Sequence, residues 1–195
     1  MRTSNDSPTL RADVLIVGAG PVGLMLANLL AGHGVRTLVI ERNQATVREP
    51  RAVTLDDEGL RTLQSAGLAD AVVRDLVLGY GVQYFSWRGK PFASIQPTRQ
   101  EYGYPKRNAF NQPRLERTLC EGLARFADDA RVLFGHALES FDDEGDGGGV
   151  RCRVRGPAGE LRVEARWLVG CDGARSRVRE LCGIRLQGDT HAERW

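Results

Sequence analysis

The chain has 195 residues, 42% hydrophobic and 27% charged, which suits one globular domain able to bury a core. Lys plus Arg number 27 against 25 for Asp plus Glu, a formal charge of +2 spread along the chain, which argues against nucleic acid as the main partner. Cys120, Cys152, Cys171 and Cys182 form no CxxC pair and have no His at ligand spacing, the first ten residues are not an apolar leader, and no apolar run nears the ~20 residues of a membrane span. The expectation is a soluble cytoplasmic protein with reduced thiols, no metal site and no membrane partner.

Residues 12–17, ADVLIV, are a short β-branched apolar run, as in a strand buried on both faces. A glycine-rich turn follows, then an apolar pattern at Val22, Leu26, Leu29 and Leu30 predicts a helix from Pro21 to about His33, closed by Gly34. Residues 36–40, RTLVI, predict a second buried strand that ends at Glu41, completing a strand–helix–strand unit with a right-handed crossover. After an arginine-bearing loop, Leu60 and Leu63 place a helix over about Asp56–Ala66. Residues 81–96 read as an antiparallel hairpin turning at Arg88-Gly89-Lys90.

Pro113 is expected to open a helix with Leu115, Leu119, Leu123 and Phe126 inward and Glu121 and Arg125 placed for a surface pair. A strand follows near 131–134. DDEGDGGG is an exposed turn, a solvated loop in preference to a calcium loop. VRCRVR and ELRVEA alternate apolar with charged residues around GPAG, the pattern of a hairpin with one wet face. WLVG reads as a further buried strand, and the helix after it should carry Val178, Leu181 and Cys182 inward.

Gly18-Ala19-Gly20-Pro21-Val22-Gly23 is a GxGxxG placed where a strand ends and a helix begins. In that setting Gly18 permits the turn, Gly20 lets a pyrophosphate approach the backbone, Gly23 lets helix and strand pack closely, and the helix N-terminus faces the phosphates. Glu41, at the end of the second strand, is placed to accept hydrogen bonds from ribose hydroxyls and to repel a 2′-phosphate. The nucleotide is therefore FAD or NAD before NADP; the fingerprint alone leaves those two open.

The third element is Asp172-Gly173-Ala174-Arg175-Ser176-Arg177-Val178-Arg179, after another buried strand. Here the chain resembles the class A flavoprotein monooxygenases, in which a DGxxSxxR motif follows the N-terminal glycine fingerprint. Residues 50–58 and Asn111-Gln112-Pro113-Arg114-Leu115-Glu116 also look like the matching stretches of the 3-(3-hydroxyphenyl)propionate hydroxylases and related phenolic hydroxylases. The resemblance implies an α/β, Rossmann-like FAD-binding domain over residues 1–195: a parallel sheet, an antiparallel crossover hairpin, and a partial β insertion from a substrate domain at 79–111. It implies FAD as cofactor, NADPH or NADH as transient co-substrate, and a small aromatic substrate.

It further implies that Arg42 lies near the adenosine, Arg51 near the flavin and the pyridine-nucleotide path, Gln112 near the ribityl chain, and Leu138 beside adenine. Asp172 and Gly173 would be cofactor-proximal. No catalytic side chain is assigned; His33, His136 and His191 are read as structural or surface groups. Family members carry a downstream GD motif, and Gly188-Asp189, with no strand before it, is not accepted as that motif. The expectation is a shortened chain ending at Trp195, weak in FAD binding, inactive in hydroxylation, and prone to self-association through an uncovered apolar face. Open alternatives are an NAD-binding module, a remnant without catalysis, or another flavin enzyme of this fold, such as a halogenase or isoprenoid reductase.

Overall fold

The computed structural model describes residues 8–189; His191 and Trp195 lie outside the described residues. Strand β1 (Thr9–Val17) runs into helix α1 (Pro21–Gly32) and strand β2 (Thr37–Glu41). The short strand β3 (Thr54–Leu55), helices α2 (Asp57–Ser65) and α3 (Ala69–Val73), strand β4 (Val77–Leu78) and the hairpin β5 (Val82–Phe85) and β6 (Pro91–Ile95) follow. Strand β7 (Asn108–Ala109), helix α4 (Gln112–Gly122), a 3-10 turn (Leu123–Phe126) and strands β8 (Ala130–Phe134), β9 (Ala137–Asp143), β10 (Val150–Gly156) and β11 (Gly159–Gly170) lead to helix α5 (Arg177–Leu181).

Six strands form one sheet in the order β8-β2-β1-β11-β10-β9; β8, β2, β1 and β11 are mutually parallel, while β10 and β9 run antiparallel. Alternation along β1 and β2 divides the core. Val14, Ile16 and Val39 face helices α1 to α4, where Leu24, Leu60, Leu63 and Leu119 pack. Leu15, Val17, Leu38 and Ile40 face the other way and share a cluster with Leu138, Cys152, Val154, Leu161 and Val163. Val178 and Leu181 of α5 pack against this second cluster.

Local sequence explains most boundaries. Asp56 caps α2 by accepting from Gly59 N–H at 2.8 Å, and Asn111 caps α4 by accepting from Arg114 N–H at 3.2 Å. The α4 cap puts Gln112, not Pro113, first in the helix. Asn108, fully buried, donates to Leu55 O and Pro105 O and accepts from Gly79 N–H. It ties the small sheet β3-β7-β4 at the point where residues 79–111 leave and return.

Several expectations need correcting. The buried face of α1 is Gly23, Leu24, Ala27, Asn28 and Ala31, while Val22 is 69% exposed and Leu26, Leu29 and Leu30 pack only at the margin. Small residues take the inner face because α1 lies close against β1 and α4. Arg125 makes no pair with Glu121. The chain tightens into the 3-10 turn there, and the guanidinium instead donates to Asn28 Oδ1 (3.0 Å), Gly122 O (2.8 Å) and Ala66 O (2.9 Å).

WLVG is not a separate strand; it continues ELRVEA as the 12-residue β11, and Trp167 is exposed. Strand β9 has no counterpart among the expected elements, because its sequence ALESFDD shows no clean alternation. Cys182 follows α5, is exposed, and does not point inward.

Candidate functional site

The turn between β1 and α1 is built by glycines in distinct ways. Gly18 has φ +109, a conformation L side chains rarely adopt, and a Cβ there would stand 2.4 Å from Cys171 O. A Cβ on Gly23 would stand 2.0 Å from Gly18 O, so the first turn of α1 rests directly on the loop. Gly20 differs. Its backbone is extended (φ −80), and among the described residues no atom beyond its two chain neighbours lies within 4 Å of where its Cβ would be.

Beyond Gly20, α1 begins with Pro21 at its first position and no side chain capping it, whereas α2, α4 and α5 are each capped by their own Asp56, Asn111 and Ser176. The first N–H groups of α1 and the positive end of its dipole thus face open space. That space is a cavity of about 560 Å³, within the range of small-molecule sites. Gly18, Gly20, Pro21, Val22, Glu41, Arg42, Arg51, Gln112, Leu138, Asp172 and Gly173 all line it; Gly23 alone of the predicted site residues does not, since it supports the loop from behind.

Glu41, released by β2 at the cavity edge, turns toward the glycine loop. Its Oε2 accepts from Ala19 N–H at 3.0 Å and its Oε1 from Asn43 N–H at 2.8 Å. A carboxylate offers about four acceptor sites, so each oxygen keeps capacity for a hydroxyl donor while the backbone fixes its aim. Arg42 and Arg51 also line the cavity, and among the described residues neither guanidinium is ion-paired or hydrogen-bonded. Leu138 sits on β9 opposite Val154, is buried, and lines the cavity.

Asp172 and Gly173 reach the cavity too, but the aspartate is largely engaged in its own turn. Oδ1 accepts from Ser176 Oγ at 2.6 Å, and Oδ2 from Arg177 N–H at 2.6 Å and Val178 N–H at 3.2 Å. Ser176 Oγ in turn accepts from Arg179 N–H, and Arg179 Nη1 donates to Ala174 O. The spacing of the DGxxSxxR residues is therefore the spacing of a closed hydrogen-bonded turn that starts α5, with Gly173 at φ +76. Beside it, burial and the Asp172 charge push the Cys171 thiol above its ordinary range, so it lines the cavity as a neutral group.

Sequence reading missed Glu116, His136, Arg155 and Arg177, all of which line the cavity. Glu116 is 1% exposed. Its i, i+4 spacing from Gln112 on α4 is the signal that would have found it, whereas His136, Arg155 and Arg177 depend on how β9, β10 and α5 meet, which no local pattern encodes. His136 Nδ1 is 2.7 Å from Phe134 O, and its ring fills the space beside Gly156. Gly188-Asp189 lies in an irregular exposed segment away from the cavity lining, and His33 is on the surface.

The donor set and its shape fit a dinucleotide: an uncapped helix mouth for a diphosphate, an open Gly20, and an oriented acid for a ribose. Comparisons agree with this geometry. A model of the FAD binding domain family matches residues 11–195. The chain is 44% identical over 183 residues to a 3-(3-hydroxy-phenyl)propionate/3-hydroxycinnamic acid hydroxylase of Mycolicibacterium smegmatis, covering 94% of this chain and 32% of that protein. It is 43% identical to the enzyme of that name from Comamonas testosteroni, covering 94% and 31%. The chain thus spans about a third of the length of these curated relatives.

Among solved structures, p-nitrophenol 4-monooxygenase PnpA from Pseudomonas putida superposes with TM-score 0.86 at 30% identity, over 94% of this chain and 46% of that one. The flavin-dependent monooxygenase PieE, solved with FAD and substrate, superposes with TM-score 0.81 at 30% identity, over 94% and 34%. Family model, relatives and cavity lead to one placement: this chain belongs to the FAD binding domain family.

Proposed function

We propose that the chain provides the FAD site of an NAD(P)H-dependent monooxygenase that hydroxylates a phenolic or related aromatic substrate. The observation that carries this reading is the cavity over the uncapped N-terminus of α1, into which Glu41 and the glycine loop both face. In it the amide groups at the start of α1 hold the diphosphate, Glu41 the adenosine ribose, Arg42 and Leu138 the adenosine side, and Arg51 and Gln112 the side nearer the flavin ring. Gly18 and Gly23 keep the loop tight, Pro21 and Val22 form the rim, and Asp172 with Gly173 closes the far wall.

Bound FAD, reduced by NADPH or NADH, supplies the oxygen-transfer chemistry; the protein's share is to bind it, orient it and exclude water. The substrate we assign is a small aromatic molecule, because the relatives bear the names of aromatic hydroxylases. We take residues 1–195 as the FAD-binding domain and 79–111 as a contribution to a substrate domain, a division supported by the way that segment departs from the β3-β7-β4 sheet.

Hairpin β5–β6 exposes Tyr84, Phe85, Trp87, Phe92 and Ile95, and a lone two-stranded hairpin is marginal in water, which supports self-association of the isolated chain through it. No described helix is long and apolar enough to cross a membrane, and the four cysteines are free, which supports a cytoplasmic setting.

Titration of FAD and of NADH into the purified chain, read by flavin fluorescence and thermal unfolding, tests the reading. FAD should raise the melting temperature at lower concentration than NADH. No stabilisation at millimolar FAD would sink it, because a ligand that binds only the native state must stabilise that state. A preference for NADH would instead point to an NAD-binding module.

A further inference from the structure

The segment between β2 and β3 forms one wall of the cavity, through Asn43, Thr46, Val47 and Arg51 among others. It contains no helix or strand. Its ends are tied by Gly135 N–H to Asn43 O and Phe110 N–H to Val53 O. Between those ties, three backbone N–H groups all converge on two side chains of α4. Arg51 and Ala52 N–H each donate to Gln112 Oε1 at 2.9 Å, and Val47 N–H donates to Glu116 Oε2 at 3.2 Å. Gln112 Nε2 donates to Glu116 Oε1 at 2.8 Å, and both side chains are buried.

The relay has a direction. A glutamine amide fits its slot equally well in either orientation, yet here only one satisfies the loop: oxygen toward Arg51 and Ala52, nitrogen toward residue 116. Residue 116 must then accept from Gln112 and also from Val47. Only a side chain with two acceptors and no donor, at this reach, does both. A glutamine there would set donor against donor or release Val47.

We propose that Glu116 is a positioning residue: as the terminal acceptor it locks the Gln112 amide and thereby holds the 43–53 wall, Arg51 included, in the shape that admits the dinucleotide. This deepens, and rests on, the reading of the cavity as the FAD site. The same lock leaves the second Nε2 hydrogen of Gln112 without a partner among the described residues, beside the cavity, free for a ligand oxygen.

The test is a four-member cycle on the purified chain: wild type, Glu116→Gln, Gln112→Glu, and both together. In the double variant the new carboxylate at position 112 accepts from Arg51 and Ala52 and from the new amide at position 116, whose oxygen accepts from Val47, so all four hydrogen bonds return and only the one between the two side chains has its direction reversed. FAD affinity and amide hydrogen exchange at Val47, Arg51 and Ala52 are measured.

Each single variant should lose at least about tenfold in affinity and speed exchange at those amides, Glu116→Gln because a buried donor loses its acceptor and Gln112→Glu because two buried carboxylates then face each other. In the double variant the protection of those three amides should recover to within about threefold of wild type, a rescue that generic loss of packing cannot produce. Unchanged affinity and protection in Glu116→Gln, or a folded double variant whose three amides stay unprotected, overturns the proposal.

If Glu116→Gln does not fold, wild-type exchange decides. Protected amides together with a folded double variant support the relay; unprotected amides, or a double variant that fails as well, refute it. Should the wild type bind no FAD while exchange still follows the cycle, the FAD reading fails and the relay stands.

Discussion

Two glycines three residues apart at the start of α1, Gly20 before it and Gly23 within it, should respond to alanine in opposite ways. Gly20→Ala adds a methyl group where no described atom beyond its two chain neighbours lies within 4 Å, at a backbone (φ −80, ψ −176) that alanine adopts freely. Losing glycine at an N-cap costs about 0.5–1 kcal/mol, and the stiffer unfolded chain returns about 0.4–1 kcal/mol, so the melting temperature should move by no more than about 2 °C. That methyl group stands, however, in the cavity where a diphosphate would meet the helix N-terminus. Displacing even one charge-assisted hydrogen bond weakens binding by about 1.5–3 kcal/mol, or roughly 10- to 150-fold.

Gly23→Ala inverts the pattern. Its Cβ would lie 2.0 Å from Gly18 O, so helix and loop must separate by about 1.2 Å to reach a tolerable contact. Overpacking of about 1–3 kcal/mol less a helix-propensity gain of about 1 kcal/mol leaves up to about 2 kcal/mol, a fall of up to roughly 8 °C for a chain of this size. Differential scanning fluorimetry and FAD titration on both variants give four numbers. Wild-type affinity in a stable Gly20→Ala protein would refute the placement of the diphosphate.

Further outcomes follow from other contacts. Glu41→Ala should weaken FAD binding by about 1–3 kcal/mol and also loosen the loop, since Ala19 and Asn43 N–H lose their acceptor; calorimetric titration and exchange at those two amides check both effects. Asn28→Leu should cost about 2–4 kcal/mol in urea unfolding, because Leu24 O, Leu119 O and the Arg125 guanidinium each lose a buried partner. Burial pushes the Cys152 thiol up to about 11, with Asp142 adding to it, and burial likewise raises Cys120 and Cys171. A folded-state pKa above the unfolded value favours the native state below pH 9 and forfeits that advantage as pH climbs toward 11. Stability should fall across that interval, and Cys152→Ala should flatten the slope. Alkylation at neutral pH should reach exposed Cys182 first; prior modification of Cys152 in the folded protein would contradict its burial.

Much of this is legible in the residues. GxGxxG between ADVLIV and a helical pattern, and Glu41 at the end of the next strand, locate the cavity because each requirement is local: a turn, a bare backbone, a strand end. The DGxxSxxR match finds the right turn, while the structure shows why those residues keep that spacing, namely the Asp172–Ser176–Arg179 bonds that start α5. Longer-range features are hidden. Gln112 and Glu116 read as ordinary helix polars until the 43–53 segment folds against them, and Arg125 resembles a surface partner for Glu121 until the helix tightens. The inner face of α1 is misjudged from sequence because hydrophobicity marks large residues, whereas a closely packed helix buries small ones.

Strand β11 has one more implication, for synthesis. Val17 pairs beside Gly170, and Gly18 stacks on Cys171 O, so a nascent chain that has emitted its first forty residues holds the glycine turn with one flank bare. β2 can join β1 early, but the central seam waits until translation passes residue 170, a long loop to close and a slow one. The nucleotide mouth is therefore among the last parts to set, and in the meantime the apolar β1 edge is offered to whatever the cell supplies, chaperone or neighbouring nascent chain.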